Sequence, residues 1–390
     1  MTLTDILAEL VAIPSLPGTP NDAITDAICA HLDRPGVTLH RLPTPEGRWN
    51  ILASIGPTDV PGIMLSGHSD VVSAEGQQWS SDPFRLTAHG DRLVGRGTSD
   101  MKGFLAVMLH LVPDLLAMDL HRPVHLAISC DEEIGCRGVP HLIARLPELI
   151  TLPQACIVGE PSDMVPVLAH KGKQTVEVTF TGQPGHSSDP AQGANAIYPA
   201  ARLALLVDQV AESLRTDGPF DTNFAPPCST MQVGVIAGGA AVNIIPEQAR
   251  LLIETRTIPS ESPEAVMRRV LSALEDVVHL TPGVEASWRE LARYPALAPS
   301  HDRSLAELLA EASGREVVDA VSYGTEAGLF AQAGIPSVIC GPGDIGRAHR
   351  ENEYILQKEL NDCRDVLLRI INERCAEVVS TNEGSKAEST

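Results

Sequence analysis

Several apolar runs in this chain stop on a carboxylate or a histidine, and that recurrence narrows the folds open to it more than any other feature. Val124-His125-Leu126-Ala127-Ile128-Ser129-Cys130 reads as a buried strand and ends in Asp131-Glu132-Glu133, just before a turn at Gly135. Ile63-Met64-Leu65-Ser66-Gly67 ends in His68-Ser69-Asp70, and Ala155-Cys156-Ile157-Val158-Gly159 ends in Glu160-Pro161. The run from Ile335 to Cys340 turns at Gly341-Pro342-Gly343, with His349 in the loop beyond. Adjacent carboxylates at the mouth of a core strand repel one another and are costly to bury unpaired. They need a cation or open water.

Helical periodicity separates these runs at 4–12, 21–32, 104–116 and 139–149, and further strands are expected at 37–42 and 50–55. Strands alternating with helices predict an α/β fold with a largely parallel sheet flanked by helices. In such folds ligand-binding residues gather at the carboxyl ends of strands. From 173 to 285 the texture changes. Alternating runs at 174–181, 230–235 and 249–256 accompany helical runs at 195–214 and 262–278, and none of the strand-end ligands falls among them. This segment reads as a smaller α+β domain inserted into the first. The expected organisation is a catalytic domain in two parts, 1–172 and 286–379, an insert at 173–285, and a disordered polar tail at 380–390.

Charge and composition exclude several functions. Asp and Glu outnumber Lys and Arg by 50 to 29, a formal net charge of −21 that disfavours nucleic acid and anionic membranes as partners. No apolar run is long enough to span a bilayer, and residues 1–13 read as an amphipathic helix rather than a leader, so a cytoplasmic protein is expected. The eight cysteines include no C-x-x-C pair, and even Cys130 and Cys136 beside the acidic cluster read as buried free thiols. No phosphate-loop pattern occurs around 95–103, and no G-x-S-x-G elbow supports a serine hydrolase.

The remaining chemistry is that of a metal site. Histidines and carboxylates without thiolates suit zinc, cobalt or manganese. His68, Asp100, Glu133, Glu160 and His349 exceed what one tetrahedral zinc needs. Two ions about 3.5–4 Å apart, sharing a carboxylate, would use them all. Asp100, just before the helix at 104–116, is the natural bridge. Asp70, two residues beyond His68 in extended chain, is expected to hydrogen-bond the ring and fix its tautomer. Glu132 and Glu133 should diverge at the strand end, leaving one for a metal and the other as a general base.

The stretches Gly67-His68-Ser69-Asp70, Gly95-Arg96-Gly97-Thr98-Ser99-Asp100-Met101-Lys102-Gly103, Asp131-Glu132-Glu133, Gly159-Glu160-Pro161 and Ala348-His349-Arg350-Glu351-Asn352-Glu353-Tyr354 together resemble the co-catalytic zinc amidohydrolases. That family comprises acetylornithine deacetylases, succinyl-diaminopimelate desuccinylases, aminoacylases and related carboxypeptidases, and the resemblance spans nearly the whole chain in order. It implies a zinc-exopeptidase-like catalytic domain with an inserted dimerisation or lid domain, and a homodimer. It also implies that His68, Asp100 and Glu160 hold one metal and that Asp100, Glu133 and His349 hold the other. Glu132 would be the base, and His186, in Gly185-His186-Ser187-Ser188, would stabilise the oxyanion in the partner subunit's site.

The stretches Ala169-His170-Lys171-Gly172 and Tyr323-Gly324-Thr325-Glu326-Ala327 look most like the deacetylase branch, and Glu160 agrees with the deacetylase and desuccinylase branches. A small N-acyl amino acid is then the expected substrate. Arg256 and Asn243 match the positions that would take its α-carboxylate, Lys171 is a third candidate, and Glu326 is expected to supply an acidic rim. A non-catalytic metal-binding protein is the alternative from another class, and the intact Glu132 argues against it.

Overall fold

The computed structural model describes residues 1–376. Its main sheet has six strands in the order Val37–Pro43, Trp49–Ile55, Val124–Ser129, Ile63–His68, Ala155–Pro161 and Ser337–Gly341. The last four run parallel, and the first two pair antiparallel at one edge. The apolar runs carry few outward polar positions because both faces of this sheet are covered. Val124, Leu126, Ile128, Ile63 and Leu65 pack to one side, against the helices Leu3–Val11, Lys102–Ala117 and Gln357–Ile371. Their neighbours Ala127, Met64, Cys156 and Val158 point the other way, towards Val139–Ile143 and Ala327–Gln332.

A second, antiparallel sheet is built from Glu285–Tyr294, Gly172–Thr181, Gln248–Thr257 and Thr230–Gly238, in that order. Its inner residues Val176, Val178, Phe180, Leu251 and Ile253 form a separate core with Leu203 and Val207 of the helix Ile197–Asp217. The boundary expected at 285 falls on the first residue of Glu285–Tyr294, so the second sheet extends to Tyr294. This strand lies at a sheet edge with most residues exposed, so no apolar alternation marks it in the sequence.

Two expected helices are broken. The run at 139–149 forms Val139–Ile143 and Leu146–Leu149, because Pro147 has no N–H to continue the ladder. The run at 262–278 forms Pro263–Leu271 and Leu274–His279. A small third sheet pairs Tyr354–Leu356 with Arg92–Val94, which sets Glu353 beside Gly95. All eight cysteines are free, seven of them buried. Among the described residues no helix is long and apolar enough to cross a membrane. The tail expected at 380–390 lies outside the described residues.

Candidate metal centre

Three neighbouring parallel strands deliver the centre. Ile63–His68 ends on His68, Val124–Ser129 leads into Glu132 and Glu133, and Ala155–Pro161 carries Glu160 near its end. Asp100 arrives from the turn before Lys102–Ala117, and His349 from the loop after the 3-10 turn Ile345–Arg347. The five sequence-predicted ligands therefore converge.

Asp100 lies between the two histidines. Its Oδ1 is 3.1 Å from His68 Nε2, and its Oδ2 is 3.2 Å from His349 Nε2. His68 Nε2 also lies 3.6 Å from Glu160, and His349 Nε2 lies 3.0 Å from Glu133. One carboxylate facing two imidazole nitrogens, each with a further carboxylate beside it, is the arrangement a shared bridge between two cations requires. His68, Asp100 and Glu133, and separately His68, Glu132 and Glu160, bring one ligand atom each to within 4.8 Å of one another. The second group contains Glu132, the residue expected to act as base.

The electrostatics agree with a cation site. Burial first, and the charge of Asp100 second, push Glu160 well above its ordinary range. Burial also raises Glu132, to about 8. Burial alone would raise Asp100 too, but hydrogen bonds from His349 and His68 hold it below its ordinary value. Hydrogen bonds to Asp100 and Glu133 raise the half-exposed His349 to about 10. Nitrogen and oxygen donors with no thiolate fit zinc, cobalt or manganese.

The parts that hold these ligands differ from the expected ones. Asp70 does not hydrogen-bond the ring of His68 through its carboxylate, which is 3.7 Å away; its backbone carbonyl accepts from Nδ1 at 2.9 Å. The strand ends at His68, so the alternation that would align the two side chains stops there. The Asp70 carboxylate instead accepts from the backbone N–H groups of Glu132 and Glu133, both at 3.1 Å, and fixes the acidic strand end. Asp131 accepts from Arg48 Nε and from Gly18 N–H. Glu353, buried, accepts from the N–H groups of Gly97, Ser99 and Asp100 and from Arg96 Nη1, and so pins the Asp100 turn. Sequence reasoning assigned Glu353 no role, although it stands in the segment containing His349 and beside the strand that pairs with Arg92–Val94.

The substrate-side residues fall elsewhere. Lys171 is buried and donates to the carbonyls of Pro226 at 2.9 Å and Cys228 at 2.7 Å, so its ammonium is committed to a loop and is not free for a substrate carboxylate. Glu326 is not a rim residue. It is fully buried and accepts from Ser66 at 2.5 Å and Ser129 at 2.7 Å, tying together the two strands that carry His68 and Glu132. Arg256 is half-buried on the second sheet, 3.0 Å from Glu254. His186 and Asn243 are exposed on adjoining loops, where Ser187 N–H donates to the Asn243 carbonyl. Among the described residues neither makes a hydrogen bond or ion pair with the ligand cluster.

This fold and cluster define a metallohydrolase, and the chain belongs to peptidase family M20/M25/M40, whose model matches residues 64–373. Its relatives include the acetylornithine deacetylase of Myxococcus xanthus, 35% identical over 376 residues, covering 95% of this chain and 96% of that protein. The acetylornithine deacetylase of Klebsiella pneumoniae (strain 342) is 31% identical, covering 95% of this chain and 97% of that one. Among solved structures, an M20 family metallo-carboxypeptidase from Sulfolobus solfataricus shares the fold with a TM-score of 0.75 at 18% identity, covering 95% and 98% of the two chains. Human carnosine dipeptidase 1 does so with a TM-score of 0.74 at 18% identity, covering 95% and 96%.

Proposed function

We propose that the protein removes the acetyl group from N2-acetyl-L-ornithine, giving acetate and L-ornithine, and that it works as a homodimer with two divalent ions per chain, zinc in the first instance. The observation that carries the chemistry is Asp100 facing both His68 and His349, with Glu132 beside them. The substrate rests on the two relatives named acetylornithine deacetylase, which match over nearly their full length.

In this reading His68, Asp100 and Glu160 hold one ion, and Asp100, Glu133 and His349 hold the other. When bound, the ions supply Lewis-acid polarisation of the amide carbonyl and a lowered pKa for the attacking water. Glu132 takes the proton from that water and passes it to the leaving amine. In the metal-free chain burial raises its carboxyl to about 8, the direction that favours a group able to hold a proton. Asp70 fixes the backbone from which Glu132 and Glu133 project by accepting from both their amides.

Arg256 and Asn243 take the substrate carboxylate, and His186 serves the site of the partner copy. The exposure of His186, which makes no hydrogen bond to the cluster of its own chain among the described residues, supports that arrangement. So do the exposed apolar side chains Val235 and Ile236 on the edge strand Thr230–Gly238, with Tyr198 and Leu205 on the helix Ile197–Asp217.

A rate comparison of N-acetyl-L-ornithine, N-succinyl-diaminopimelate and N-acetyl-L-methionine, before and after metal removal, tests the proposal. Acetylornithine should be the fastest substrate, and activity should vanish on chelation and return with zinc or cobalt. Faster turnover of either competitor overturns the substrate, and full activity after exhaustive chelation overturns the metal chemistry.

A further inference from the structure

The turn after the acidic strand end folds back on itself. The N–H groups of Gly135 and Cys136 both donate to the Glu132 carbonyl at 2.8 Å, and Gly138 N–H reaches the Cys130 carbonyl at 3.1 Å. Asn50 seals this turn from the neighbouring strand, accepting from Cys130 N–H at 3.0 Å and donating to the Gly138 carbonyl at 2.9 Å. Cys136 adopts a left-handed conformation, with φ of +55°, that residues other than glycine rarely take. The result places its thiol 3.2 Å from Glu132 Oε1, with the cysteine 1% exposed. A strained non-glycine backbone beside a reacting group points to a functional demand.

We propose that Cys136 is a positioning residue, whose S–H holds one oxygen of Glu132 so that the other faces the substrate site. The inference rests on the reading of Glu132 as the base. A free carboxylate at a strand end can rotate, and each unproductive rotamer removes the base from reach of the water. One donor on Oε1 limits that rotation. A thiol suits the task because its single S–H, set in the turn, reaches one carboxylate oxygen and leaves the other free. Burial first, and the adjacent Glu132 carboxylate second, push the thiol's pKa up, so it stays a protonated donor. Within the turn Cys136 is the side chain that donates to Glu132.

The test uses the full-length zinc-loaded enzyme and whichever of the three substrates above is turned over fastest. Cys136→Ala should lower kcat about tenfold, the scale of one lost hydrogen bond, with KM and bound metal unchanged. Cys136→Ser keeps a donor and should recover most of that loss. In a Glu132→Asp background, where the shortened carboxylate no longer reaches the thiol, Cys136→Ala should add no further loss. If the alanine variant does not fold, the donor-less Cys136→Gly, which the left-handed backbone accepts, set against Cys136→Ser makes the same comparison. An unchanged kcat in the donor-less variant, a serine variant as slow as the alanine one, or an additive loss in the Glu132→Asp background would each overturn the inference. Glu132→Gln separates the two readings: if it remains active the base assignment fails, whereas if it is dead while Cys136→Ala is normal, only the positioning role fails.

Discussion

Glu353 offers the sharpest test of how the metal cluster is held. Its Oε1 accepts from the N–H groups of Ser99 at 2.8 Å and Asp100 at 3.0 Å, and its Oε2 accepts from Gly97 N–H at 2.9 Å and Arg96 Nη1 at 2.8 Å. Glu353→Gln preserves the shape and replaces one oxygen with an NH2 group. In either orientation of that amide, two buried donors face another donor. Each orphaned donor costs about 1–3 kcal/mol, giving about 2–6 kcal/mol together. Removing one partner from a buried ion pair costs about 3–5 kcal/mol, a figure that overlaps the first rather than adding to it.

Burial raises the Glu353 carboxyl above its ordinary value despite these partners. The pair is therefore no large source of stability while intact; the loss comes from what is stranded when it breaks. A loss of about 4 kcal/mol is expected, in a protein whose total stability is on the order of 5–15 kcal/mol. With an unfolding entropy of about 2.1 cal/mol/K per residue, that corresponds to roughly 5 °C in Tm for a cooperative unit of this size. Urea titration of the metal-free protein reads the stability term alone. Zinc titration reads the second effect, a weakening of about 10–100-fold as the Asp100 turn loses its anchor. Glu311→Gln, which removes one partner of an exposed surface pair with Arg369, is the control and should cost under about 0.5 kcal/mol. A loss below about 1 kcal/mol for Glu353→Gln, or unchanged zinc affinity, would refute the reasoning.

Three further outcomes are expected. Asp100→Ala removes the carboxylate facing both histidines, so metal analysis should find at most one ion per chain and turnover should be lost; a variant retaining two ions would show that Asp100 is no bridge. In the metal-free protein His349 is raised to about 10 by Asp100 and Glu133, so the stability from that contact is fully present below the ordinary histidine value of 6.5 and is lost as pH rises through about 10. Metal at His349 must displace the same proton, so zinc affinity should rise about tenfold per pH unit below that value, and pH-independent affinity with no proton release would contradict the assignment. Lys171→Met should destabilise the protein by about 1–3 kcal/mol by stranding two carbonyls while leaving KM within about twofold; a tenfold rise in KM would return Lys171 to the substrate.

The legible parts of the fold were those fixed by local periodicity and by strand ends. Val124–Ser129 and Ile63–His68 are covered on both faces, so their sequences are continuously apolar and their ends stand out. His68, Glu133 and Glu160 converge because side chains at the carboxyl ends of neighbouring parallel strands meet, whereas Asp100 and His349 reach the cluster from a turn and a loop. The edge strand Glu285–Tyr294 was not legible, since an exposed strand has no apolar face to display. Asp70, Lys171 and Glu326 were misread for a different reason. Each has the composition of a site residue, but its partner comes from a distant segment: the amides after Ser129, the carbonyls of Pro226 and Cys228, and the hydroxyls of Ser66 and Ser129. Local pattern carries no signal for such pairings.

Those distant partners also sort the buried carboxylates into two kinds. Asp131 and Glu353 each face an arginine, Arg48 and Arg96, and therefore carry their charge into the interior already compensated. Asp100, Glu133 and Glu160 have no lysine or arginine partner among the described residues; they meet only the imidazoles of His68 and His349. A histidine compensates a carboxylate only while it is protonated, and a metal takes it only while it is neutral. The inner carboxylates are thus left with a choice between protons and divalent cations, and Glu160, raised well above its ordinary range by burial, shows how costly the cation-free state is. Glu326 marks the limit of the criterion. It too lacks a cationic partner, yet two serine hydroxyls take its oxygens and no histidine reaches it. Buried carboxylates that lack an arginine and whose oxygens face an imidazole, rather than the hydroxyls that take Glu326 or the amides that take Asp70, are what separate this centre from the supports around it.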